Sequence, residues 1–302
     1  MWYMSRLGRR HPFKIPELEL PGENIHGDLT LYAVSDDGIN WTKPALGLVE
    51  RAGRTDTNIV ADESGHGFMA TPWLDVRPGV PANERIKAIS SQPLSGEKHT
   101  AFKAPDGPKR LAFWASADGF SFHKLDPQPE MVSNLNNSFD GGNTMFWSDA
   151  EKRYVLYYRF NDGFRSMARA TSDDLLHWSE SVAMTYGDTP REHLYTNNTV
   201  PYFRAPQIYL ALAARFMKGR RVITDAQAEA IELKTAHGHF YGNDCSDAVL
   251  LTSRAGETRY DRTFMEALVR PGSGAQNWVS RTNYPLTGIL PYGNDRIMFW
   301  VS

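Results

Sequence analysis

Ser116-Ala117-Asp118-Gly119-Phe120-Ser121-Phe122, preceded by the apolar run Arg110-Leu111-Ala112-Phe113-Trp114-Ala115, is one of four versions of a single phrase. The others are Ser35-Asp36-Asp37-Gly38-Ile39-Asn40-Trp41, Ser172-Asp173-Asp174-Leu175-Leu176-His177-Trp178, and a decayed Ser253-Arg254-Ala255-Gly256 leading to Tyr260. Each follows an apolar stretch about one strand long: Leu29–Val34, Met167–Thr171 and Ala248–Thr252 in the other three cases. Ser and Asp side chains bond to nearby backbone N–H groups, Gly supplies the positive φ, and the aromatic begins the returning strand. The phrase therefore reads as a hairpin staple, and its Asp residues as turn formers.

A second marker alternates with the first. Asn58-Ile59-Val60, Asn143-Thr144-Met145-Phe146, Asn198-Thr199-Val200 and Asn283-Tyr284 each place Asn before an apolar stretch, at steps of 85, 55 and 85 residues. The staples step by 81, 56 and 81. Two markers in phase describe one repeating unit: an inner strand after Asn, a second such as Tyr154–Arg159, a third ending at the staple, and an outer strand beyond the aromatic. That is a four-stranded antiparallel propeller blade, so the expected fold is an all-β propeller occupying residues 1–302 as a single domain. One segment breaks the pattern. Thr224-Asp225-Ala226-Gln227-Ala228-Glu229-Ala230-Ile231-Glu232-Leu233-Lys234 predicts a short helical insertion near 224–234.

Composition narrows the class. A formal net charge of −2 with no basic stripe argues against a nucleic-acid partner. No stretch approaches a membrane span, and the lone Cys245 rules out an internal disulfide framework. Met1–Met4 and Ile297–Val301 are both strand-like, so the termini are expected to share one blade, residues 283–302 with 1–41. Four staples against five blades also suggest a truncated reading frame. Without an apolar signal core the chain reads as cytoplasmic as it stands, and as secreted or periplasmic if its start is missing.

The staples, together with Ser138-Phe139-Asp140-Gly141-Gly142-Asn143-Thr144-Met145-Phe146-Trp147 running into Tyr154–Arg159, resemble the five-bladed β-propeller glycoside hydrolases of families 32, 43, 68, 117 and 130. The segment Glu192–Asn198 through Pro201–Pro206 is also similar to uncharacterised bacterial proteins of this kind. The invertase-type motifs Trp-Met-Asn-Asp-Pro, Arg-Asp-Pro and Glu-Cys do not occur. The resemblance implies a five-bladed propeller, a carbohydrate substrate and a glycosidase that needs no cofactor. In families 32 and 43 a catalytic carboxylate lies on the inner strand of the first blade, so a chain lacking that strand would lack it.

Chemistry is expected on the loops leading into the inner strands, which converge on one mouth. These read Asp56-Thr57-Asn58, Asp140–Asn143, Glu192–Asn198 and Trp278–Asn283. Glycoside hydrolysis needs two carboxyl groups flanking the scissile bond. Glu192, near His193, Tyr195 and Tyr202, reads as general acid. Asp140, followed by two glycines, reads as nucleophile or base, and Asp56 as a third carboxylate. Each also has a structural reading: Asp56 capping a turn beside Arg54, Asp140 forming an Asx-turn, and Glu192 pairing with Arg191 or Arg204. Asp247 and Glu266 are alternative acids, Glu266 with a salt bridge to Arg270 or Arg262 as its competing role. Asn143, His193, Tyr195, Asn198, Asn283 and Trp278 are candidate substrate contacts, Trp278 by stacking on a pyranose. Arg159, Arg204 and Arg281 at one mouth would suit an anionic sugar, or neutralise the carboxylates. His237 and His239 with Asp244 form the one weighed metal alternative, set below a sugar-lined loop. The sequence thus reads as a glycoside hydrolase acting on a chain end, since a funnel closed at its bottom accepts one. A noncatalytic carbohydrate-binding or interaction propeller and a phosphate-dependent phosphorylase are the alternatives. A sialidase-like reading is disfavoured because the staples are one residue short of that pattern.

Overall fold

The computed structural model describes residues 1–7, 27–51, 53–61, 72–93, 109–133, 135–136, 138–231, 233 and 241–301. The fold is all-β, a propeller type built from antiparallel blades, of which four are described. The chain forms two compact units, Met1–Asn134 and Leu135–Ser302, each with its own sheets and core.

In the first unit, β1 (Trp2–Leu7), β2 (Gly27–Tyr32) and β3 (Ile59–Ala61) make one sheet in that order. The second sheet runs β4 (Trp73–Leu74), β5 (Ile86–Pro93), β6 (Lys109–Ser116), β7 (His123–Lys124), with β8 (Val132–Ser133) also on the β6 edge. Val60, Ala61, Ala88, Trp114 and Phe122 are buried together, with Trp2, Tyr32 and Phe120 packed against them.

In the second unit, β9 (Thr144–Ser148), β10 (Arg153–Asn161), β11 (Arg165–Ser172) and β12 (Val182–Ala183) form a complete four-stranded blade. The next blade contains β13 (His193–Thr196), β14 (Thr199–Tyr202), β15 (Ala205–Met217) and β16 (Cys245–Arg254). Here β13 and β14 pair successively along one edge of β15 and β16 along the other. Phe146, Val155, Tyr157 and Met167 from one blade pack against Leu194, Tyr209, Ala211, Ala213, Val249 and Leu251 from the other. Burying such side chains contributes about 1.5–3 kcal/mol each. A hairpin of β17 (Leu290–Tyr292) and β18 (Arg296–Met298) follows.

The three full staples share one geometry. The Ser35, Ser116 and Ser172 hydroxyls accept from the backbone N–H of Gly38, Gly119 and Leu175 at 2.8–2.9 Å and donate to Asp37, Asp118 and Asp174. Each of these carboxylates accepts from the backbone N–H groups two and three residues further on, for example Leu176 at 2.8 Å and His177 at 2.9 Å on Asp174. Those bonds hold the Asp37 and Asp174 carboxyls well below the usual range. These acids are committed to turns. In the fourth phrase no Asp is present, and Ser253 Oγ donates instead to the Arg259 carbonyl at 2.7 Å.

The Asn marker opens a strand twice in the second unit, where β9 follows Asn143 and β14 follows Asn198, but Asn283 is followed only by an isolated bridge at Pro285. The marker fails in the first unit. β3, which follows Asn58, pairs with β2 on the edge opposite β1, the edge on which Val34 also bridges Thr42. It is therefore part of the outer edge of the blade closed by the Ser35 staple, and the first strand of the next blade is β4. At this outer edge the Asn58 amide still holds backbone, as the other marker asparagines do: it donates to the Tyr32 carbonyl at 2.7 Å and to the Tyr3 hydroxyl at 2.9 Å.

The insertion contains α1 (Asp225–Ala230), started by a capping box in which Thr224 Oγ1 accepts from Gln227 N–H and the Gln227 side chain accepts from Thr224 N–H. Ala228 and Ile223 pack with Val279, and Trp278 leans on the same cluster.

Candidate functional site

One end of the second unit gathers most of the candidate residues. The loop before β9, the end of β10, the start of β11, the start of β13, the end of β15 and the segment 281–284 all meet there. Backbone torsions mark this end. Of the non-glycine residues with positive φ, Phe139 (60°), Asn198 (52°), Arg281 (65°) and Asn283 (57°) lie in the lead-in segments. Such torsions cost roughly 1–3 kcal/mol each and cluster at binding and catalytic sites. Gly142, at φ 65°, lies so close to the β13 backbone that a Cβ would sit 3.0 Å from Thr196 Cα. Only glycine allows the Asp140 loop to pass there.

Asp140 is 46% exposed and is paired with the Arg159 guanidinium. Arg159 itself is buried, donates to the Tyr195 carbonyl at 3.3 Å and lies 4.5 Å from the centre of the Tyr195 ring. Arg165 lies 5.0 Å from the same ring and 4.7 Å from that of Phe216, while Tyr284 packs on Tyr195 at 5.2 Å. Arg281 stacks over Tyr241 at 5.0 Å. Burial works to raise the Tyr195 phenol, but the guanidiniums of Arg159, Arg281 and Arg165 outweigh it and bring its pKa below the ordinary value. Tyr284 is pushed the other way, chiefly by burial. His193 Nδ1 accepts from Arg165 N–H at 3.2 Å, and burial followed by Arg165 and Lys218 lowers its pKa, which favours the neutral ring.

Glu192 sits in a different setting. Its Oε1 accepts from Arg215 at 3.0 Å and its Oε2 from Arg262, leaving the side chain 22% exposed. Asp247 grips Arg215 through both oxygens at 2.8 and 2.6 Å. Arg262 is 2% exposed, and its Nε and Nη2 have no hydrogen-bond partner. Glu192 and Asp247 thus stand in one ion-pair network between two arginines. The sequence offered Arg191 and Arg204 as partners for Glu192, but Arg191 pairs with Asp162 at 2.6 Å.

Several other candidates are engaged elsewhere. Asp56 lies in the first unit, 65% exposed and paired with Arg54 at 3.0 Å. Its loop is an outer-edge connection, not the lead-in to an inner strand. Glu266 pairs with Arg270 on the surface. Arg204 is at the opposite end of β14, donating to the Asn294 carbonyl at 2.7 Å. Trp278 donates to the Gly272 carbonyl at 2.7 Å within the α1 cluster. Asn143, Asn198 and Asn283 spread their amides over backbone carbonyls: Asn143 to Phe139, Asn198 to Leu212 and Pro285, Asn283 to Ser246 and Asn277. They hold the lead-in loops in shape. Among the described residues no His/Cys/Asp/Glu group is arranged to hold a metal, and His237 and His239 lie outside those residues. Arg165, Phe216, Tyr284 and Arg215 were not singled out from sequence, and Arg262 was weighed only as a partner for Glu266. Arg215 had a signal, being the one charge within the apolar run Leu210–Met217.

No protein-family model and no curated protein matches the chain. Among solved structures it is similar to an N-acetylgalactosamine deacetylase from F. plautii, with 11% identity, a TM-score of 0.47 and coverage of 76% of this chain and 65% of that one. It is also similar to a GH93 α-L-arabinofuranosidase of Fusarium graminearum at 12% identity, a TM-score of 0.46 and coverage of 91% and 66%. A mutant form of an α-L-arabinofuranosidase from the same fungus gives a TM-score of 0.37 at 12% identity, with 75% and 54% covered. The chain thus spans slightly under two thirds of the first two structures and about half of the third. No helix among the described residues is long and apolar enough to cross a membrane.

Proposed function

We propose that this chain is a carbohydrate-active propeller that cleaves a glycosidic bond at a chain end, with Asp140 as the reacting carboxylate. The observation that carries this reading is the setting of Asp140. It is a half-exposed acid on a loop that glycine alone permits, paired with an arginine that lies over the Tyr195 ring, and aromatic rings suit a sugar face. The Arg159 guanidinium pairs with it and orients it, as a nucleophile or base requires. Glu192 is the second carboxylate of the pair, in the role of proton donor, and must exchange a guanidinium contact to take up a proton.

A second reading rests on that last point. Both Glu192 oxygens accept from guanidiniums, an arrangement that serves a noncatalytic carbohydrate-binding propeller equally well. The two are separated by measuring sugar release from end-labelled oligosaccharides alongside sugar binding. Asp140→Asn is expected to lower turnover by about 10²–10⁴-fold while binding persists. A wild-type protein that binds oligosaccharides and releases nothing from any of them refutes catalysis and leaves the binding module.

A further inference from the structure

The geometry points to an acidic sugar unit, one bearing a carboxylate or sulfate, as the group held between Arg159, Arg165 and Arg281. The inference rests on the carbohydrate reading above and names the class of its ligand. Charge is the first argument. Nearby guanidiniums are matched: Arg191 by Asp162, Arg215 by Asp247 and Glu192. Arg159, Arg165 and Arg281 share only Asp140, and among the described residues no carboxylate pairs with Arg165 or Arg281, whose guanidiniums instead face the rings of Tyr195, Phe216 and Tyr241. Burial, and with it the Arg165 charge, works against the protonated form of Arg159. Like charges held together in a partly dry site are relieved by an incoming anion.

Shape is the second argument. A guanidinium fork matches the planar two-oxygen edge of a carboxylate and the face of a sulfate. The rings of Tyr195 and Tyr241 lie against those forks, with Tyr284 packed on Tyr195, so the anion would be met next to aromatic carbon, which suits a sugar ring carrying the acid rather than a bare ion. Arg281 is held at φ 65°, a torsion that a non-glycine residue keeps only where the surroundings enforce it.

The test is calorimetric titration of the full chain with D-galacturonate, D-glucuronate, their methyl esters, galactose, galactose 6-sulfate and inorganic phosphate. At least one acid sugar is expected to bind, with its ester or neutral counterpart at least tenfold weaker and the affinity falling with added salt. Arg165→Gln and Arg281→Gln should each weaken that binding at least tenfold, while Arg153→Gln, on an exposed pair with Asp173, should not. Circular dichroism checks that each variant is folded, and Arg281→Lys should recover part of the affinity. Equal binding of esters and acids, binding of phosphate without any acid sugar, or no binding of any acid sugar overturns the inference. Release from neutral oligosaccharides by a protein indifferent to acid sugars would leave the Asp140 reading intact. Acid-sugar binding without release would do the reverse.

Discussion

Glu192→Gln is the obvious test of a general acid, and the structure predicts that it does more than remove a proton donor. The substitution preserves volume but leaves the amide able to accept from only one of two guanidiniums. Arg215 retains Asp247, so the uncompensated charge falls on Arg262, which is 2% exposed and already has two nitrogens without acceptors. Removing one partner of a buried pair costs about 3–5 kcal/mol, and the partial exposure of Glu192 reduces this to roughly 3 kcal/mol. At about 2–4 °C per kcal/mol for a body of this size, the melting temperature should fall by roughly 6–12 °C. Replacing the buried pair by apolar groups is close to neutral, so Glu192→Gln with Arg262→Met should recover at least about 2 kcal/mol of the loss. Scanning calorimetry and urea titration of the two single variants and the double variant supply the full cycle. A single-variant cost below about 0.5 kcal/mol, or a double variant worse than the sum of the singles, would refute the network. Lost turnover in Glu192→Gln therefore counts as catalytic only when measured on the folded fraction.

Other perturbations are equally specific. Gly142→Ala puts a methyl against the Thr196 backbone at a left-handed torsion and should cost more than the ~1 kcal/mol expected for Gly53→Ala, where the torsion is similar and the space open; urea midpoints compare them. Ser172→Ala leaves the buried Leu175 N–H without its acceptor and should destabilise by about 1–2 kcal/mol in the same assay. In an ultraviolet titration of tyrosinate formation, Tyr195→Phe should abolish a step below the ordinary value of 10.0, and loss of a later step instead would contradict the arginine cluster. His193 has its pKa lowered from 6.5 on folding, so the unfolded chain binds more protons just below that pH. Stability should decline as pH drops through 6.5, and His193→Gln should flatten that decline.

The blades were legible because their signals are local. A Ser-x-Asp staple satisfies its own backbone within seven residues, so Ser35, Ser116 and Ser172 could be read without knowing what surrounds them. The helix of the insertion was legible for the same reason, through Thr224 and Gln227. Asn58 shows the limit: an Asn that donates to a carbonyl looks alike at an inner and an outer edge, and only strand pairing distinguishes them. The site was half legible. Phasing pointed to Asp140 and Glu192 as candidates, but their partners Arg159, Arg215 and Arg262 arrive from 19, 23 and 70 residues away, a separation at which sequence carries no pairing information.

The left-handed residues at the lead-in segments imply a division of labour that bears on redesign. Asn198 and Asn283 each donate to two backbone carbonyls, so they fix where the loops run, whereas Arg281 occupies an equally demanding torsion with its guanidinium turned to a ring face. Exchanging the side chains at 165 and 281 should therefore retune what is recognised on an unchanged frame. Altering the two asparagines should scramble the frame before any new preference can be expressed. A library aimed at new ligands is best randomised at the arginines and held constant at the amides.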